Sequence, residues 1–214
     1  LMTAFGCTMP GESFPGPLPM VTAAQTTLAD ELKTDVTLLA KGIGERNLDH
    51  PEALAKAADY IDQQLTKAGL RVNRQTYQVK GQECSNLSAE IKGKSDEIVL
   101  IGAHYDSVRG APGANDNGTG VAALVALARR MAKDRPPRTL RFIAFVNEEP
   151  PYFQTADMGS VVYAQAAKKR GDKIAAMLSI ETIGCYLDAP DSQHYPPPFN
   201  LVYPSKGNFI AFVG

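Results

Sequence analysis

The stretch Ile98-Val99-Leu100-Ile101-Gly102-Ala103-His104-Tyr105-Asp106-Ser107 decides the fold. Four consecutive apolar residues are what a strand buried on both faces requires, and such strands belong to parallel sheets covered by helices. The run closes on an imidazole and a carboxylate. Two more runs of the same kind follow. Leu140–Val146 leads into Asn147-Glu148-Glu149, and Ile174–Ile180 leads into Glu181. Residues 118–133 and 158–170 lie between them and read as helices, with Asp157 as the N-cap of the second. Strand–helix–strand–helix–strand predicts a three-layer α/β/α fold whose sheet is mixed and mainly parallel.

Working upstream, residues 71–79 and 84–92 read as two strands, antiparallel to one another. Leu54, Ala58, Ile61, Leu65 and Ala68 recur at helical spacing, opened by Pro51 and closed by Gly69. Leu28, Leu32, Val36, Leu39 and Ile43 mark an earlier helix, which Gly42 and Gly44 end. Residues 1–20, rich in Pro and Gly from residue 8, read as an extended arm, and residues 21–214 as one domain. Downstream, 186–200 is a Pro-rich loop.

The 214 residues suit one α/β domain with a sizeable core. A hydrophobic share of 44% with 21% charged residues argues against disorder. The formal net charge of −1, with no basic run, argues against nucleic acid as a partner. No apolar run reaches the ~18 residues of a membrane span. Cys7, Cys84 and Cys185 are too few and too scattered for a disulfide framework or a zinc finger.

Ligands of open α/β sheets bind beyond the carboxyl ends of the strands. His104, Asp106, Glu148, Glu149 and Glu181 all fall at such ends, and Asp116 lies in the Gly-rich loop Gly113-Ala114-Asn115-Asp116-Asn117-Gly118 leaving the same rim. Imidazole with carboxylates is a donor set for Zn²⁺, and also for Mn²⁺ or Co²⁺. Carboxylates packed this closely repel. Divalent cations relieve that repulsion, and two fit better than one.

His104-Tyr105-Asp106-Ser107, Gly113–Gly118, Asn147-Glu148-Glu149 and Met158-Gly159-Ser160 together resemble the co-catalytic zinc aminopeptidases, a family that includes glutamate carboxypeptidase-type enzymes and is similar to the glutaminyl cyclases. The resemblance covers roughly residues 40–214. It implies a zinc-dependent aminopeptidase acting on peptides with two zinc ions. His104 would bind one ion, Asp116 would bridge both, Glu149 would bind the other, and Glu181 would share an ion with His104. Glu148 would be the general base, and Asp106 would orient the His104 ring. A cis peptide after Asp116 is also expected. Pro150 would hold Glu149 extended. Arg46, in Ile43-Gly44-Glu45-Arg46-Asn47, follows a pattern common in the family, and a structural salt bridge is its expected role.

The chain departs from the family in two places. Glu181 stands where an Asp is usual. The family's last ligand, a His, has no counterpart, and its expected place is beyond Gly214, which would leave the domain incomplete at that end. His194 lies in the Pro-rich loop, where a His more often faces solvent or substrate than metal, and His50 reads as helix capping. Ala4-Phe5-Gly6-Cys7 faintly resembles a lipoprotein signal, and with the family it suggests a secreted or periplasmic protein, lipid-anchored in one version. Two alternatives stay open. One is a single-zinc glutaminyl cyclase, against which Asn117-Gly118 speaks. The other is a binding or receptor-type relative with a dead site, which would be expected to lack ligands or base that are present here. Oligomeric state leaves no mark in the sequence.

Overall fold

The computed structural model describes residues 17, 19–201 and 203–211. The expected arm and Cys7 therefore lie almost wholly outside the described residues. The chain divides into two units, of which residues 24–183 carry the sheet.

Five strands form one mixed sheet in the order β1-β2-β4-β3-β5. β1 (Val72–Val79) and β2 (Gln82–Ile91) are antiparallel, as expected. Their register leaves Lys80-Gly81 as a two-residue turn, and both residues have positive φ (49° and 80°). That is the backbone twist a tight hairpin needs. β4 (Arg138–Phe145) runs antiparallel to β2 and parallel to β3 (Ser95–His104), and β5 (Ile174–Ser179) runs parallel to β3.

The alternation of side chains along β4 builds two cores. Leu140, Phe142 and Ala144 pack in a cluster with Leu54, Ile61 and Leu65 of helix α2 (Pro51–Lys67) and Val121, Leu124 and Val125 of α3 (Gly120–Met131). Ile143 and Phe145 face the other way, with Leu100, Tyr163 and Ala167, the last two from α4 (Gly159–Arg170). Helices thus cover both faces, the three-layer arrangement expected.

Local chemistry sets the helix ends. Pro51 opens α2, where its missing N–H costs no bond, and Gly69 (φ 84°) leaves the helix in the left-handed region. The first helix, α1 (Ala23–Thr37), runs on through a wider turn, Leu38–Ile43, to Gly44 at φ 89°. α4 begins differently from the sequence reading. Met158, not Asp157, holds the N-cap position, and no side chain caps it. Its first turn is fixed instead by Asn86, whose Nδ2 donates to the Gly159 carbonyl (2.8 Å) and whose Oδ1 accepts the Val146 N–H (3.1 Å). A Cβ on Gly159 would come within 2.3 Å of the Val146 carbonyl, so only glycine lets α4 start this close to β4. β5 also differs, because all six of its residues are exposed although its apolar run predicts burial.

The second unit includes residues 184–211. A short turn at Phe199–Leu201 brings Phe199 and Tyr203 into a stack at 5.9 Å, with Tyr195 5.1 Å from Tyr203. Backbone bonds Leu187 N–H to Gly207 and Gln193 N–H to Ser205 pair its two arms. No described helix is long and apolar enough to cross a membrane.

Candidate metal centre

β3 and β4 run parallel with His104 opposite Phe145, so their carboxyl ends reach one rim together. His104 is buried, with its side chain only 3% exposed. Three carboxylate oxygens surround its Nε2: Asp116 at 3.0 Å, Glu181 at 3.5 Å and Glu148 at 3.6 Å. One donor atom from each of His104, Asp116 and Glu181 lies within 4.8 Å of the others, the spacing of ligands around one cation.

Asp116 arrives on an irregular turn, Ala114–Thr119, closed by the Gly118 N–H on the Gly113 carbonyl (3.1 Å). Gly113 has φ 56°, and a Cβ there would lie 2.6 Å from the Asp116 carbonyl. The Asp116–Asn117 peptide is cis, as expected. Glu181 follows β5, whose end is tied to β3 by the Ile180 N–H on the Gly102 carbonyl (2.8 Å).

Glu148 and Glu149 follow Asn147, which turns the chain with φ 59°. Asp106 fixes both. Its Oδ1 accepts the Glu148 N–H and its Oδ2 the Glu149 N–H, each at 3.1 Å. The same Oδ1 is 3.4 Å from His104 Nδ1, an electrostatic contact, and Nδ1 has no hydrogen-bond partner among the described residues. Glu149 is not in the His104 cluster. It is buried, its Oε1 has no hydrogen-bond partner among the described residues, and apart from burial Asp116 is the group that most raises its proton affinity. Asp116 thus lies 3.0 Å from His104 Nε2, and its charge also acts on Glu149.

Charge decides what fits here. Burial pushes the Glu149 carboxyl up to about 7, helped by Asp116, while His104 pulls the other way. Burial likewise raises Glu148, with Asp106, Glu181 and Asp116 adding to the shift. Burial would lower His104, but Asp106 and Glu181 outweigh it and hold the imidazole near about 11. Among the described residues the imidazolium is the cation in ion-pair distance of Asp106, Asp116, Glu148 and Glu181. A partnerless buried carboxylate oxygen, a partnerless imidazole nitrogen and three clustered N/O donors fit a divalent cation of the zinc type.

Two residues whose roles the motifs do not reveal organise the rim. Asn117, wholly buried, makes four bonds. Its Nδ2 donates to the Ile180 carbonyl (2.8 Å) and to Glu181 Oε2 (3.0 Å), and its Oδ1 accepts the N–H groups of Gly120 (3.0 Å) and Thr182 (3.3 Å). It locks Glu181 to the Asp116 turn. Arg46, also wholly buried, corrects the salt-bridge expectation, because its guanidinium donates to backbone carbonyls instead. His50 sits at the N-cap of α2 but makes no cap bond; its Nε2 lies 3.5 Å from Glu45. His194 is exposed and outside the donor cluster. Cys84 is buried and Cys185 exposed, and both are free.

Residues 86–201 match the profile of Peptidase family M28. The chain is 34% identical over 194 residues to the Escherichia coli "Uncharacterized protein YfbL", covering 86% of this chain and 59% of that one. It is 38% identical over 138 residues to an aminopeptidase of Pseudomonas aeruginosa, covering 63% of this chain and 23% of that one. Its fold is similar to BSAP, a zinc aminopeptidase from Bacillus subtilis, with a TM-score of 0.65, 16% identity, and coverage of 78% of this chain and 74% of that one. It is also similar to the Fimbriiglobus ruber glutaminyl cyclase, with a TM-score of 0.60, 20% identity, and coverage of 71% and 60%. The chain thus spans less than two thirds of the length of the relatives it matches in sequence, and the structural likenesses speak to the fold alone.

Proposed function

The chain belongs to peptidase family M28, the co-catalytic zinc peptidases, and from that footing we propose that it serves a metal-dependent aminopeptidase that removes N-terminal residues from peptides. The observation that carries this reading is the packing of His104, Asp116 and Glu181 donors within 4.8 Å.

His104 and Glu181 would hold one zinc, Glu149 a second, and Asp116 both. Zinc bound there supplies Lewis-acid polarisation of the scissile carbonyl and acidifies water at neutral pH. Glu148 is the general base. Its carboxylate takes a proton from the attacking water and delivers it to the leaving amine nitrogen as the C–N bond breaks. Its half-buried position and raised proton affinity favour its taking up that proton. Asp106 positions Glu148 and Glu149 through their amides and faces the His104 ring, which helps to keep Nε2 turned towards the ions. A secreted or periplasmic site of action goes with this proposal.

The test uses the full-length protein, stripped and reloaded with zinc, on aminoacyl-anilides and on the same compounds with a blocked amine. Zinc-dependent release from the free-amine series alone is expected. Ammonia release from N-terminal Gln peptides without anilide cleavage would replace the reading with a cyclase. No turnover of either would favour a binding relative.

A further inference from the structure

Arg46 is the largest of the wholly buried side chains, and a buried guanidinium needs a reason. It finds no carboxylate partner among the described residues. Its fork spans five carbonyls instead. Nε donates to Tyr105 (2.6 Å), Nη1 to Leu39 (3.4 Å), Gly44 (3.3 Å) and Pro112 (2.5 Å), and Nη2 to Gly113 (2.7 Å). Ser107 completes the cradle. Its Oγ accepts the Arg46 N–H (3.1 Å) and donates to the Ala111 carbonyl (2.9 Å), and its N–H donates to the Arg46 carbonyl (2.9 Å).

The acceptors are not scattered. Tyr105 is the residue after His104. Gly113 is the residue whose carbonyl closes the turn holding Asp116. One planar side chain therefore grips both stems of the loop that separates these two donors, from a position 0% exposed. Its charge acts on Asp106, Asp116 and Glu149.

We propose that Arg46 is a positioning residue of the cation site, which sets the spacing of His104 and Asp116 by holding both ends of the 105–113 loop. The inference rests on the proposed function only in taking those two residues as ligands. Lysine cannot reproduce it, because a point charge with three donors cannot bridge five acceptors lying in a fork.

The test is cobalt binding by the metal-free full-length protein, followed by calorimetry and by the visible absorption of bound Co²⁺. Arg46→Lys is expected to weaken binding about 10- to 100-fold, the range for residues that orient metal ligands, and to change the cobalt band, at a temperature where circular dichroism shows the variant folded. Free guanidinium at millimolar concentration is expected to restore part of the affinity of Arg46→Ala, whereas equal sodium chloride is not. Should Arg46→Lys fail to fold, Ser107→Ala decides. It leaves the guanidinium in place but loosens the loop, and a several-fold weaker affinity is expected. A lower melting temperature with unchanged affinity and band would reduce Arg46 to a stability role and overturn the proposal. Wild-type protein that binds no cobalt overturns this inference and the function together. Arg46-dependent binding without peptide cleavage overturns the peptidase reading alone.

Discussion

Glu148 and Glu149 are neighbours in the chain with different surroundings. The Glu148 side chain is 29% exposed and lies 3.6 Å from His104, while Glu149 is buried. On the proposed assignment that difference would separate a base from a ligand. Glu148→Gln is expected to lower kcat about 10²- to 10⁴-fold with metal content unchanged, measured by anilide turnover and elemental mass spectrometry. If the variant loses its metal instead, the assignment is wrong. Asn117→Ala strands the Gly120 and Thr182 N–H groups and frees Glu181. The buried Gly120 N–H left unpaired costs roughly 1–3 kcal/mol, so a fall in the urea midpoint is expected along with weaker zinc binding. His104, Asp106, Glu148, Glu149 and Glu181 were legible in the sequence because they fall where apolar runs end, and Asp116 because of the Gly-rich loop that carries it. The bonding of Asn117 and Arg46 was not. A buried polar side chain that bonds to distant backbone leaves no period or spacing, and nothing in the sequence near Arg46 says that its partners are carbonyls rather than carboxylates.

Between elements, Arg141 of β4 joins Glu90 of β2 to Asp172, just before β5. Burial would raise the Glu90 carboxyl, but bonds from Lys92 and Arg141 lower it. Asp172 is likewise lowered by Arg170 and Arg141 against burial. Carboxyls depressed by folding stabilise the fold above their unfolded values near about 4, and that contribution fades as pH falls through the folded values. Arg141→Met should therefore be less stable than wild type at pH 7, with the two urea midpoints converging below about pH 4. A gap that stays constant with pH would show that the loss comes from packing. Element type and order were readable from periodicity and from Gly and Pro. The start of α4 was not, because Asn86 on another strand anchors its first turn, where Asp157 was expected to cap it. Likewise no period marks Lys80-Gly81 as a whole turn.

For the molecule, β5 is the least settled part. Among the described residues it bonds to β3 on one side only, and Met177 and Leu178 are about half exposed (50% and 44%). The apolar run made it legible as a strand, but a run cannot say how much of it is covered. An apolar strand edge is a template for another chain. The 214-residue chain on its own is expected to self-associate at micromolar concentration, and Met177→Lys to reduce this, as read by light scattering. A monodisperse monomer at high concentration would show that the edge is protected. Its place in the sheet also bears on synthesis. The ribosome delivers chain N-terminus first, at about 5–20 residues per second. β1 to β4, with the helices that cover them, emerge before β5, bringing His104, Asp116, Glu148 and Glu149. Glu181 comes last, at the end of the strand that docks at the margin. On the proposed assignment the ion that His104 and Glu181 would share has its full set of described donors only once β5 has docked, and until then His104 faces the other acids without Glu181.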